Sequence, residues 1–139
     1  MSRIAILFAG ALAIIPLSGA QAQTINTQAI STACSGAATN CAAVVLAQIA
    51  ALRAAGVIGL QLDVALGQIA ATVQTVSVGS TPAARVLTAN VMREVAVEVS
   101  DPAQATAIVQ AAAQVEVAGP SIAIPAVPVP PAPVEASPT

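Results

Sequence analysis

The chain has 139 residues, 57 per cent of them apolar, and its ten charged side chains leave a formal charge of −2. It contains no His, Lys, Trp or Tyr, and its single Phe is Phe8. That composition removes the ordinary bases, the imidazole metal ligand, and the basic, aromatic surface that nucleic acid binding uses.

The first stretch reads as an export leader. Arg3 precedes an uninterrupted run of apolar residues and Gly from Ile4 to Ile15, Pro16 ends it, and Ala20-Gln21-Ala22 fits a cleavage site before Gln23. The run is shorter than the roughly 20 residues a membrane span needs, an anchored N-terminal helix being the competing reading. No cysteine follows it directly, so lipid attachment is not expected there. Residues 1–22 are therefore predicted to be a signal peptide, with the mature chain periplasmic or extracellular. Its three arginines and six carboxylates leave −3, and its length suits one domain.

Residues 23–40 form an N-terminal lead-in with a cysteine loop. Gln23 to Ala33 is polar apart from Ile25, Ala29, Ile30 and Ala33, and reads either as a short helix ending near Gly36 or as an ordered lead-in. Cys34 and Cys41 are the only cysteines. On one continuous helix, seven steps of about 1.5 Å would hold their Cα atoms roughly 10 Å apart, whereas a disulfide needs about 4.4 to 6.8 Å. Pairing therefore requires a break, and Gly36 with Thr39-Asn40 supplies one, Gly by its backbone freedom and Thr or Asn as a cap for the next helix. An even pair in an exported chain points to a structural disulfide, and six intervening residues differ from the two of a redox-active Cys-x-x-Cys. Free thiols, a bond between chains and a thiol-disulfide enzyme are the competing readings.

Residues 41–119 are predicted to be a helical domain. From Cys41, Ala42, Val45, Ile49 and Leu52 recur at steps of three and four until Gly56 stops the helix. A second helix, Leu60 to Val76, repeats the stripe through Leu62, Leu66, Ile69, Val73 and Val76. The two are expected to pair as an αα-hairpin with coiled-coil-like packing. Gly79-Ser80-Thr81-Pro82 marks the next start, with Ser80 or Thr81 as cap and Pro82 at the first helical position. That helix should turn Leu87, Val91 and Val95 inward, beside Met92 and Val99. Val95 to Val99 also alternates like a strand, but no long partner strand is visible, so helix is preferred. Ser100-Asp101-Pro102 starts a fourth helix carrying Ala105, Ile108, Val109, Ala112 and Val115, ended by Gly119-Pro120.

Val-x-Val endings at Val76 to Val78, Val97 to Val99 and Val115 to Val117 each precede a proline, with a period of 18 to 21 residues. A degenerate helical repeat would produce this, and so would alanine-rich bias. The expected fold is thus all-α: a small Ala/Val-rich helical bundle, or a degenerate repeat, of about four helices. Alanine favours helix but removes little apolar area when buried, so the core should be thin. Residues 120–139, with seven of the ten prolines, are predicted to be an extended, disordered Pro-rich tail. Its Pro125 to Pro128 and Pro130 to Pro133 spacings match P-x-x-P but lack a flanking basic residue.

No catalytic, cofactor or metal residues are predicted. Glu94, Glu98 and Asp101 share a helical side, but Ca²⁺ needs six to eight oxygens, so a solvated face with Asp101 capping the next helix is the preferred reading. A glycosidase would need a deep cleft and sugar-stacking residues. Ser31, Ser35, Ser77, Ser80, Ser100 and Ser121 have no His or Lys to activate them. No phosphate loop or glycosylation acceptor is present. The chain is expected not to be an enzyme but an exported protein-interaction or structural module, with a partner protein or a second copy bound through its Ala/Val faces. The alternative is a binder of an apolar ligand or membrane surface.

Overall fold

The structure, a computed structural model, describes residues 25–117 and 125–129. The leader expected at 1–22, the stop at Gly119-Pro120 and the outer tail, with Pro130 to Pro133, lie outside these residues. Among the described residues the chain forms five helices and no strand. They are α1 (Thr27–Cys34), α2 (Cys41–Ala54), α3 (Gly59–Ser77), α4 (Pro82–Glu98) and α5 (Pro102–Val117).

The segment left open between helix and lead-in is α1, which raises the helix number above the expected four. Asn26 starts it: Oδ1 accepts from the Ala29 N–H at 3.0 Å, satisfying a free helix donor, while the Asn26 N–H donates to Gln48 Oε1 on α2 at 3.2 Å. Ile30 and Cys34 face inward.

Cys34 closes α1, Cys41 opens α2, and the two are joined as a disulfide with Cα atoms 4.3 Å apart. The chain turns between them through two left-handed residues, Gly36 (φ 64°) and Ala38 (φ 59°). Gly36 is where the sequence placed the break; Ala38 is not. The expected Thr39 or Asn40 cap is also absent, because Asn40 (φ −100°, ψ 1°) lacks the extended backbone that aims a capping oxygen. The Ala38 carbonyl instead accepts from the Cys41 N–H at 3.3 Å.

At the other end of α2, Gly56 (φ 86°) makes the predicted stop. Its N–H donates to the Arg53 carbonyl and the Val57 N–H to the Leu52 carbonyl, each at 3.0 Å, and Val57 and Leu52 are both buried. These two hydrogen bonds, with Val57 and Leu52 in the same core, are the Schellman arrangement, which satisfies two carbonyls that α2 leaves free.

The helix around which the others gather is α3, which packs against all four. Leu62, Leu66, Ile69 and Val73 are buried as the stripe predicts, with Val76 half-buried. A second buried row lies beside them: Asp63, Gly67, Ala70, Gln74 and Ser77, at steps of four, three, four and three. Two adjacent inward rows make α3 a central helix, where one row would leave it at the surface. The expected α2–α3 hairpin is accordingly only a slight contact. The narrow stripe of α2 is shared between α1 and α4, and the most extensive pair is α4 with α5.

Thr81 caps α4, its Oγ1 accepting from the Ala84 N–H at 3.2 Å, and Pro82 occupies the first turn. Val91, Met92, Val95 and Val99 are buried, but Leu87 is exposed. The inner row is Ala84, Thr88, Val91 and Val95, one residue round the helix from Leu87, and the Thr88 hydroxyl donates to the Ala84 carbonyl at 3.1 Å. On α5 the inner row is Gln104, Ile108, Ala111 and Val115, with Ala112 beside it, and Val109 is turned outward. Small side chains at Ala89, Ala96, Ala111 and Ala112 let α4 and α5 approach closely. The alternating Val95 to Val99 is helical through Glu98.

Both sulfurs are shielded, since Cys34 and Cys41 are fully buried. Cys34→Ala with Cys41→Ala should lower unfolding free energy by about 2 to 3 kcal/mol while retaining helix content. Urea titration followed by far-ultraviolet dichroism checks this.

Candidate functional site

The acidic face predicted at Glu94, Glu98 and Asp101 is dispersed. Glu98 pairs with Arg53 across α4 and α2, and Asp101 Oδ1 accepts from the Ala103 N–H at 3.1 Å, the capping role expected of it. Glu94 is exposed. Among the described residues no group of three His, Cys, Asp or Glu side chains comes together. Arg93 and Glu116 form a second ion pair, between α4 and α5. Both pairs are partly exposed, so each adds little to stability.

Three of the predicted serines, Ser35, Ser77 and Ser80, donate their hydroxyls to a carbonyl three or four residues earlier. Ser35 Oγ donates to the Thr32 carbonyl at 3.1 Å, Ser77 Oγ to Gln74 at 2.6 Å and Ser80 Oγ to Val76 at 3.3 Å. A hydroxyl spent on a backbone carbonyl is not poised for attack. Both cysteines are in the disulfide. Ser121 lies outside the described residues.

A polar constellation that the stripe-reading passed over lies where α3 meets α5. Asp63 is only 3 % exposed. Its Oδ1 accepts from the Ser100 N–H at 2.8 Å and its Oδ2 from the Asp101 N–H at 3.2 Å. A buried carboxylate is thereby satisfied by the turn that starts α5, at the positive end of that helix. The Asp63 carbonyl also accepts from Gln104 Nε2 at 2.7 Å. One turn along, Gly67 leaves room where a Cβ would meet Gln104 Nε2 at 2.7 Å and Val129 Cα at 3.5 Å.

Two turns further, Gln74 holds a piece of the tail. Its Nε2 donates to the Pro125 carbonyl and its Oε1 accepts from the Val127 N–H at 3.0 Å. Val127 is 5 % exposed, and a depression of about 250 Å³ beside it is lined by Ala71, Gln74, Thr75, Val78, Ala126 and Val127. The part of the predicted tail that the structure describes, residues 125–129, lies as a strap across α3 through the two Gln74 contacts. The amide groups of Gln74 supply the pairing that a neighbouring strand would give an extended chain.

A separate groove runs along α4 and α5. Arg93, Ala96 and Val97 line one wall and Ala105, Thr106, Val109 and Gln110 the other, around about 310 Å³ open to solvent. Val97 is 82 % exposed and Val109 44 %. No described helix is long and apolar enough to cross a membrane.

The signal that finds the constellation is register. Asp63 and Gln74 fall in the same row as Gly67 and Ala70, one step round from the leucines, so two polar residues share a row with residues too small to cover a surface. No family model matches the chain, and no curated protein or solved structure is significantly similar to it.

Asp63→Asn puts an amide donor against one of the two turn N–H groups, and should cost about 2 to 3 kcal/mol of stability by urea titration. Gln74→Leu should leave the helices folded and release the strap. Amide exchange by nuclear magnetic resonance should show Val127 protection falling about tenfold or more while α4 and α5 amides keep theirs.

Proposed function

We propose that the chain is an exported, non-enzymatic module that binds protein, either a partner or a second copy. The observation that carries this is the open groove between α4 and α5, where Val97 and Val109 stand in solvent beside Ala96 and Ala105. Apolar side chains grouped along a concavity mark interaction sites more often than apolar residues scattered singly. The chemistry of the chain agrees with a binding role: without His or Lys there is no ordinary base, and both thiols are consumed in the disulfide. That disulfide fits an oxidising compartment, as the leader-like residues 1–22 do. In this reading the helices are one small bundle around α3, and residues beyond the strap serve as a Pro-rich tether.

A second reading, binding of an apolar ligand or membrane surface, is favoured by the apolar lining of the same groove. Small-molecule sites usually enclose most of their ligand, however, and this groove covers one side only. The two are separated by size-exclusion chromatography with light scattering and refractive index, since the chain has no Trp or Tyr to absorb near 280 nm. Protein binding predicts an assembly, with itself or with a partner from the exported fraction, that lipid vesicles leave unchanged and Val97→Glu with Val109→Glu abolishes. A monomer whose elution shifts only with lipid would establish the second reading instead.

A further inference from the structure

The inner side of α4, with Ala84, Thr88, Val91 and Val95, is taken up by the bundle. Its outer side carries a second pattern. Ala83, Asn90 and Val97 recur at steps of seven and form a central line, with Val86 and Arg93 on one flank and Leu87 and Glu94 on the other, again seven apart. At about 100° per residue all of them fall within roughly 120° of the helix circumference. Apart from half-buried Arg93 every one is exposed, Val86 to 41 % and Leu87 to 42 %. A helix that met only water on this side would be polar there, whereas a step of seven is the spacing at which two helices keep one seam in contact.

The polar members of the seam decide what can cover it. Asn90 Oδ1 accepts from Arg93 Nη1 at 3.0 Å, and Arg93 also pairs with Glu116. The Asn90 oxygen is thus engaged on its own helix, and its Nδ2 is the end able to donate across the seam. Glu94 belongs to neither of the ion pairs among the described residues. Setting a second copy of α4 parallel to the first, across a two-fold axis along the seam, brings Ala83, Asn90 and Val97 each against its own counterpart and exchanges the flanks. Val86 then meets Leu87 of the second copy, and Arg93 meets Glu94 of the second copy, each contact being made twice. An antiparallel copy keeps each flank on its own side and sets Arg93 opposite Val86 and Glu94 opposite Leu87, charge against hydrocarbon. The charges therefore select the parallel pair.

We propose that the outer face of α4 is a self-association seam, on which two copies of the chain pair in parallel. Val97 and Ala83 pack on the axis, Val86 and Leu87 close over the first turns, and Arg93 with Glu94 of the second copy closes the last ones. Asn90 sits on the axis between them, donating to the other copy's oxygen; a single polar residue at such a position fixes register and limits the assembly to two helices. The guanidinium has donors enough to hold Asn90, Glu116 and the incoming Glu94 together. Since α4 is already held as a helix by the bundle, pairing orders only side chains, which offsets the shortness of the seam. The second copy also covers the wall of the α4–α5 groove that Val97 forms. The inference rests on the protein-binding reading and deepens it by naming the partner as a second copy.

The test uses the full chain in size-exclusion chromatography with light scattering, which should show a dimer. Leu87→Glu, and separately Glu94→Arg, which turns the cross-seam ion pair into a repulsion, should each raise the dissociation constant about tenfold or more with dichroism unchanged. Should Leu87→Glu lose helix, Glu94→Arg at its solvated position carries the test. Because both native cysteines are in the disulfide, an introduced cysteine is the only free thiol, and mild oxidation then reads direction. Val97→Cys should cross-link to itself, and a mixture of Ala83→Cys with Val97→Cys should give self-linked products in preference to the crossed one. A dominant crossed product, or a dimer that neither Leu87→Glu nor Glu94→Arg weakens, would overturn the proposal. If such a dimer is still lost on Val97→Glu with Val109→Glu, the protein-binding reading stands and the α4 seam alone falls. A chain that stays monomeric to about 1 mM would also overturn the seam, since weaker pairing is negligible at ordinary concentrations, leaving the broader reading to capture of a partner from the exported fraction.

Discussion

One buried carboxylate ties the central helix to the turn between α4 and α5. Asp63 is buried on α3 and meets the two N–H groups of Ser100 and Asp101 at the turn where α4 gives way to α5. In an interior of Ala, Val and Leu an unpaired acid would be strongly destabilising, so the turn is held in the one place that satisfies both oxygens. Apolar contacts between small side chains are non-directional and tolerate sliding; the bidentate carboxylate does not. It therefore fixes the register of the α4–α5 pair against α3.

Around this tie the packing is thin and close. Ala89, Ala96, Ala111 and Ala112 bury little area each, but their small size brings backbones together and multiplies dispersion contacts. The same economy of side chain explains why the molecule relies on local constraints. The disulfide limits how far α1 and α2 can part, the Schellman end of α2 seals two carbonyls, and Thr81 caps α4. Each contributes on the order of 1 to 3 kcal/mol in a domain whose total is of the order of 5 to 15.

Function, in the reading favoured above, belongs to what this framework leaves uncovered. Where α4 and α5 meet, side chains that continue the apolar pattern past the inner row, Val97 and Val109, have no helix to cover them. Where α3 meets α5, the buried row is polar and small, and residues 125–129 lie against it at Gln74 and Gly67. The two surfaces differ in kind. The first is a largely apolar groove with Arg93, Thr106 and Gln110 among its walls; in the second, the Gln74 amide pairs with the backbone of the strap.

Much of the helical layout was legible in the chain. The three-and-four spacing of Leu62, Leu66, Ile69 and Val73, the Gly56 stop and the Thr81-Pro82 start are local effects of turn geometry and capping, which sequence records directly. Leu87 and Val109 went astray because only the neighbouring helix decides which row faces inward; at Leu87 the inward place goes to Thr88, whose hydroxyl is satisfied by the Ala84 carbonyl. The Asn40 cap failed because the covalent link, not the local side chain, sets the backbone at Cys41. Asp63, Gln74 and Gln104 went unread because a polar residue in a helix looks solvated until another element covers it.

What the sequence by itself determined is therefore the helical class, the position of the breaks, the cysteine loop and the lack of ordinary bases, all consequences of composition or of neighbours within a few residues. Which helices pair, which row of α3 is covered by α5, and that part of the tail lies across Gln74 were decided only in the tertiary structure. Those contacts join residues 37 to 53 positions apart, and no local propensity encodes which partner a buried oxygen will find.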